Sequence, residues 1–178
     1  MLFRSATKEM LSYTNNREDS QEHRTLKPLS LIKENKKHGS LFGKVAIITG
    51  GGRGIGRTIA IEMAKEDAQI AIISRTSSEL EETTLEIQTI GGKVISIRAD
   101  ISDYNAVSDA VDKIISTFGK IDILVNNAGI TKMDSFTDMS EDEWKRIVEV
   151  NLFGSFNMCH VVIPYLVKQK SGKIINLG

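Results

Sequence analysis

A single cysteine, Cys159, excludes an internal disulfide framework and a multi-cysteine metal site. It falls in an apolar, helix-patterned stretch, which predicts a buried structural thiol rather than a nucleophile. The three histidines, His23, His38 and His160, share no ligand spacing, so no metal centre is expected. No apolar run reaches the length needed to span a bilayer. Neither sign of charge is in excess: 23 Lys and Arg stand against 23 Asp and Glu. That balance gives no pointer to nucleic acid or an anionic membrane as a partner. What remains is 40% hydrophobic residues in a chain long enough for one domain. This suits a soluble globular protein, with the cytoplasm as the default location.

Residues 1–42 differ in character. They mix charge, Asn, Ser and Gln with scattered apolar residues, and Pro28 and the run Lys36-Lys37-His38-Gly39-Ser40 precede the patterned region. A polar, flexible extension is expected, although Leu11, Leu26 and Leu29 to Ile32 could form a short docking segment. The opening Met-Leu-Phe-Arg-Ser faintly suggests an organellar presequence. Glu9, Glu18 and Asp19 are wrong for an acid-poor one, and there is no apolar core with a small-residue cleavage site.

The most telling segment is Lys44-Val-Ala-Ile-Ile-Thr-Gly-Gly-Gly-Arg-Gly-Ile-Gly-Arg-Thr58. A β-branched run, Val45 to Ile48, ends in glycines, and a helical pattern starts at Ile55. Strand, tight turn and open helix N-terminus follow in that order. N–H groups at such an end have no intrahelical partner, and the helix dipole adds partial positive charge, so an anion is favoured. Glycine lets the main chain approach a ligand with no Cβ in the way. The segment reads as a diphosphate cradle.

Two nucleotide readings compete for it. Gly51 through Thr58 is one residue from a P-loop, with Arg57 where the phosphate-reaching lysine would stand. No strand-end aspartate stands out as its metal partner. The spacing Gly50-x-x-x-Gly54-x-Gly56 also differs from the G-x-G-x-x-G dinucleotide fingerprint. It matches instead the TGxxxGIG pattern of the short-chain dehydrogenase/reductase family, which the sequence resembles from about Gly43 to its last residue. Asp100-Ile101 looks like the family's adenine-contacting aspartate segment. Asn126-Asn127-Ala128-Gly129 looks like its NNAG segment beside the cofactor, and Asn151 matches its catalytic-site asparagine. The resemblance is strongest to 3-oxoacyl-carrier-protein reductases. It implies a cofactor held by Thr49, Gly50, Gly52, Arg53, Gly54, Ile55, Gly56, Arg75, Asp100, Ile101, Asn127, Ala128 and Gly129.

From Gly43 onward strand and helix patterns alternate. Short apolar runs predict strands near 45–49, 69–74, 93–98, 121–125 and 173–177, as parallel strands covered on both faces should read. Helices are predicted near 55–66, 78–90, 104–118 and 141–169. Ser78-x-x-Glu81 and Ser140-x-x-Glu143 have capping-box spacing, and Gly91 and Gly119 are plausible helix stops. Asp67 stands where the family usually has glycine, and aspartate tolerates a left-handed backbone. Right-handed crossovers turn this alternation into a doubly wound α/β sheet with its ligand crevice where the winding reverses. The resemblance implies a Rossmann-like strand order of 3-2-1-4-5, with the crevice between the first and fourth strands.

Cofactor choice follows from charge. A dinucleotide lacking the 2′-phosphate is usually held by a carboxylate at the end of the second strand. Here that strand ends Ile72-Ile73-Ser74-Arg75, and Arg53 supplies a second guanidinium. Two forked cations suit a phosphate dianion, and no carboxylate is expected nearby to repel it. NADP(H) is therefore expected over NAD(H).

The family's chemistry implies a serine that orients the carbonyl, a tyrosine acid/base and a lysine four residues later, which brings the tyrosine pKa down. Of that set only Asn151 is present, and the chain ends at Gly178, where the resemblance places the serine next. Tyr165 has Gln169 four residues on and reads as a packing residue; Tyr104 and Tyr13 also lack the lysine. The expectation is the N-terminal part of a longer reductase, truncated after the fifth strand and inactive alone. Its substrate would be a carbonyl, alcohol or acyl-carrier thioester, and the full protein a homo-oligomer. The alternative is a non-catalytic dinucleotide-binding or partner-binding module.

Overall fold

The computed structural model describes residues 38–132 and 135–178. The extension expected over residues 1–42, with its docking segment, thus lies almost wholly outside the described residues. Residues 38–42, which the sequence pattern assigns to the extension, belong to the compact unit that runs on to Gly178. Three contacts account for this. Gly39 N donates to Asp67 Oδ2 at 2.7 Å, Ser40 N to Glu66 Oε2 at 2.7 Å and Leu41 N to the Glu66 carbonyl at 3.0 Å. Asp67 holds the left-handed conformation expected of it, φ 65°.

Among the described residues five parallel strands form one sheet in the order β3-β2-β1-β4-β5. They are β1 (Val45–Thr49), β2 (Gln69–Ser74), β3 (Lys93–Arg98), β4 (Ile123–Asn126) and β5 (Lys173–Asn176). The helices are α1 (Gly54–Lys65), α2 (Ser77–Thr89), α3 (Tyr104–Phe118), α4 (Glu141–Val148) and α5 (Gly154–Gln169), with a π-helical turn, Glu149–Phe153, joining the last two. The doubly wound parallel sheet and its strand order are as the sequence implies.

Period-two alternation builds two cores from one strand. Val45 and Ile47 of β1 point to a core shared with Val107, Val111 and Ile114 of α3 and Met158 and Val162 of α5. Ala46 and Ile48 point to the opposite core, shared with Ala60, Ile61 and Ala64 of α1 and Leu80 and Ile87 of α2. β1 is buried along its whole length, so its C-terminal end can open only into the cleft between α1 and the β4 loop.

Two local expectations need correction. The Ser78-x-x-Glu81 box does not form: α2 starts at Ser77, with Thr76 at the N-cap and no side-chain capping bond. Ser74 Oγ accepts from Thr76 N at 3.3 Å and turns the chain early, so the helix begins before Ser78 can cap it. The predicted unbroken helix over 141–169 instead carries the π-helical turn around Asn151. The Ser140–Glu143 capping box is present as predicted, and Gly119 ends α3 in the left-handed region.

Within Glu141–Gln169 an 18-residue window has a mean hydropathy of 1.4, so by length and composition alone this helical run is long and apolar enough to cross a membrane. The sequence-based statement that no such run exists is therefore corrected. Its inner face, Val150, Asn157, Met158 and Val162, is buried, which is how a core helix of this fold behaves. Cys159 is half-buried rather than buried, and its Sγ accepts from Asn126 Nδ2 at 3.3 Å.

Candidate functional site

The cradle is built as its sequence suggests. Gly50, φ 66°, turns the chain off β1, and an added Cβ would sit 2.9 Å from Asn127 Nδ2. Arg53 is the N-cap of α1 in extended conformation; its side chain makes no capping bond and no acid stands in the first turn. The N–H groups of that turn therefore face the cleft without a side-chain partner, which leaves them for an anion. Thr49 and Asn127 lock the two strand ends behind it. Thr49 Oγ1 accepts from the backbone N–H groups of Asn127 and Ala128, each at 3.0 Å, and Asn127 Nδ2 donates to the Thr49 carbonyl at 2.9 Å.

The P-loop alternative fails on Arg57. Its guanidinium is held by Glu82 (3.1 Å) and Glu86 (2.6 Å) of α2, clamping the two helices, and it does not line the cleft.

A cleft of about 420 Å³ opens above the turn. Of the residues singled out from sequence, Gly50, Arg53, Gly54, Ile55, Arg75, Asp100, Ile101, Asn127, Ala128 and Gly129 line it. Thr49, Gly52 and Gly56 lie beneath it: Gly52 and Gly56 are buried, and Thr49 is fully buried. Asn151 stands behind the rim. Its Oδ1 accepts from Ile130 N at 2.8 Å and its Nδ2 donates to the Ile130 carbonyl at 2.9 Å, so one amide pins the segment after Asn127. The π-helical turn, a geometry frequent at functional sites, is what carries Asn151 there.

Charge at the far end differs from expectation. Arg75 Nη1 lies 3.9 Å from Asp100 Oδ2, and Arg53 Nε lies 3.6 Å from Glu79 Oε1. Glu79 lines the cleft, so the expectation of no carboxylate beside the two arginines is wrong. The first turn of α2 delivers it there. Burial disfavours charge on Asp100, but the Ser102 hydroxyl, the Ser102 N–H and the Arg146 guanidinium outweigh this and hold its carboxyl below the usual range.

Arg146 of α4 was not legible as a site residue. It bonds Asp100 Oδ2, reaches Ser102 Oγ at 2.9 Å and reaches Glu149 Oε2 at 3.3 Å. Asn157 Nδ2 of α5 donates to the Ile101 carbonyl at 3.0 Å. One helical run thus pins Asp100–Ser102 at one end of the cleft and Ile130 at the other. A lone arginine on a charged helix face gives no sequence signal for this. Arg146→Met is expected to return the Asp100 carboxyl towards its ordinary range, read by carboxyl-carbon NMR, and to cost roughly 1 kcal/mol of stability.

Tyr165 behaves as a packing residue. Its hydroxyl donates to Asp112 Oδ1 at 3.2 Å, and burial, then Asp112, raises its pKa. That is the wrong direction for a proton-transfer tyrosine.

The profile of the short chain dehydrogenase family matches residues 44–178. The 3-oxoacyl-acyl-carrier-protein reductase FabG of Thermotoga maritima is 36% identical over 138 residues, covering 78% of this chain and 56% of that protein. The crystal structure of a 3-ketoacyl-ACP reductase from Sinorhizobium meliloti superposes with a TM-score of 0.71 at 38% identity, covering 74% of this chain and 52% of that one. NAD+-bound xylitol dehydrogenase superposes with a TM-score of 0.75 at 31% identity, covering 77% and 53%. The chain spans about half the length of the curated relatives it matches. With the strand order, the cradle and the profile match in agreement, the chain belongs to the short-chain dehydrogenase/reductase family.

Proposed function

We propose that residues 43–178 hold the dinucleotide of an NADP-dependent oxidoreductase that moves hydride between nicotinamide and a carbonyl or alcohol. The substrate class is a 3-oxoacyl thioester or a small ketone. The observation that carries this reading is the uncapped N-terminus of α1 opening into a cleft that also holds Arg53 and Arg75.

The residues present fit the group. The α1 N-terminus and Gly50 to Gly56 take the diphosphate, Asp100 and Ile101 the adenine, and Asn127 to Gly129 the nicotinamide side. Arg53 and Arg75 select the 2′-phosphate. When bound, the cofactor supplies or accepts the hydride. Asn151 orients the rim by holding Ile130, and its part in a proton relay rests on the family resemblance. The xylitol dehydrogenase neighbour binds NAD+, so the choice of NADP(H) stands on this chain's own arginines. A homo-oligomer is supported by exposed Leu152, Phe153, Phe156, Ile163 and Val167 along the outer face of the long helix. The cytoplasm is the proposed location.

Titration of residues 1–178 with NADPH and NADH tests the reading. A charge-assisted contact is worth roughly 1.5–3 kcal/mol, so NADPH is expected to bind about tenfold or more tighter. Arg53→Ala with Arg75→Ala should erase that preference and leave NADH alone. Equal affinity of the unsubstituted chain for both would overturn it. A second reading is a non-catalytic dinucleotide-binding or partner-binding module. NADPH-dependent reduction of a 3-oxoacyl thioester by this chain would exclude that module.

A further inference from the structure

The end of the cleft assigned above to the 2′-phosphate holds arginines that already have partners. A phosphate arriving at Arg75 competes with Asp100, and one arriving at Arg53 competes with Glu79. The two competitors are not equivalent. If Arg75 turns away, Asp100 keeps Arg146, the Ser102 hydroxyl at 2.7 Å and the Ser102 N–H at 3.0 Å. Its charge stays compensated. Among the described residues, the cation paired with Glu79 is Arg53. If Arg53 turns to a phosphate, a bare carboxylate is left beside a dianion.

Local structure holds Glu79 at this spot. It stands in the first turn of α2, where the helix dipole favours an anion, and the N-cap Thr76 supplies no side-chain oxygen to that turn. Its stem abuts the glycine-rich loop: a Cβ added to Gly52 would lie 2.9 Å from Glu79 Cβ and 3.1 Å from Ser74 Oγ. Glu79 thus occupies, as part of the chain, the kind of position an external anion would take.

We propose that the Glu79 carboxylate is an internal competitor for the 2′-phosphate at Arg53, and so sets how strongly the cleft discriminates phosphorylated from unphosphorylated adenosine ribose. The proposal rests on the NADP(H) reading given above. Glu79→Gln keeps the side chain's size, frees Arg53 and removes the like-charge repulsion. Both effects act most strongly on a ligand that carries the 2′-phosphate at Arg53.

The test is calorimetric titration of residues 1–178 and the Glu79→Gln variant with adenosine 2′,5′-bisphosphate and with 5′-AMP, and with NADPH and NADH. The variant is expected to bind the 2′-phosphorylated pair about three- to tenfold tighter and the other pair within about twofold. The gain should shrink at 1 M salt and largely vanish on an Arg53→Ala background. No gain, an equal gain for both pairs, or a full gain without Arg53 would overturn it. Arg53→Ala and Arg75→Ala separate the two ideas. If they erase the phosphate preference while Glu79→Gln changes nothing, only the role of Glu79 falls. If they leave the preference intact, the assignment of the 2′-phosphate to Arg53 and Arg75 falls and this proposal with it, whereas equal affinity of the unsubstituted chain for NADPH and NADH overturns the NADP(H) reading itself.

Discussion

Gly56→Ala is expected to abolish dinucleotide binding, with affinity for NADPH falling about 100-fold or more, roughly 3 kcal/mol. A Cβ there would lie 2.3 Å from the Gly50 carbonyl oxygen and 2.4 Å from Asn127 Nδ2. Neither atom is the free end of a flexible side chain. Gly50 belongs to the turn itself, and Asn127 Nδ2 is already bonded to the Thr49 carbonyl. The clash can be relieved only by backing α1 away from β1 or by releasing Asn127, and either change moves the N–H groups that form the cradle. Overpacking of this kind also costs about 1–3 kcal/mol of stability, so circular dichroism and a melting curve must accompany the titration. Gly119→Ala, away from the cleft, is the control. Its Cβ would meet nothing within 4 Å, but φ is 78°, so strain acts without a clash. That strain is worth roughly 1–2 kcal/mol, and a much smaller loss of affinity is expected. If Gly56→Ala binds NADPH within about threefold of the unsubstituted chain, close helix–strand approach is not what this glycine provides.

What could be read in the sequence was whatever depends on neighbours along the chain. The β-branched run Val45 to Ile48, the glycines after it and the alternation of short strands with helices placed the cradle and the parallel α/β sheet, because each reports local backbone preference and two-sided burial, whereas the strand order was implied by the family resemblance. The Ser140 box was equally local and is present. The Ser78 box was not, because a side chain outside the pattern, Ser74, turned the chain first. The π-helical turn is invisible to a period-3.6 reading, since one inserted residue shifts the pattern without breaking it. Glu79 and Arg146 were missed for another reason: their partners lie across the fold, Arg53 26 positions earlier and Asp100 46 positions earlier. A charged residue in a helix reads as a solvated face until the sheet places its partner. Asking which side chains the first turn of α2 brings beside the end of β2 would have found Glu79.

Asp122→Ala should be the most destabilising charge removal in the sheet. Asp122 lies just before β4, with 11% of its side chain exposed, and it is paired with Lys120 at 2.9 Å and Lys44 at 3.5 Å. Its Oδ2 also accepts from Val45 N at 2.9 Å. Val45 is fully buried, so removing the carboxylate leaves an interior N–H with no acceptor. That loss is expected to cost about 2–3 kcal/mol, a large share of a typical net stability of about 5–15 kcal/mol. It should lower the melting temperature by roughly 5–10 °C. Burial opposes the Asp122 charge, but Lys120, the Val45 N–H and Lys44 prevail and lower its pKa from 3.8. A depressed carboxyl pKa contributes stability that is fully present above the unfolded-state value and is lost as pH falls through the folded-state value. The gap between the unsubstituted chain and Asp122→Asn should therefore be constant at neutral pH and close on acidification below the ordinary carboxylate range, as followed by urea melts at stepped pH. No gap at neutral pH would show that the hydrogen bond from Val45 N, which the asparagine oxygen can still accept, and not the charge, holds the strands. The consequence reaches the cleft. Asp122 starts the register in which Ala46 faces Ile123 and Ile48 faces Val125, and that register brings Asn127 level with Thr49 and Gly50. Loosening it in Asp122→Ala should weaken NADPH binding as well as the fold, whereas a purely local role for Asp122 would leave affinity unchanged at temperatures where the variant is folded.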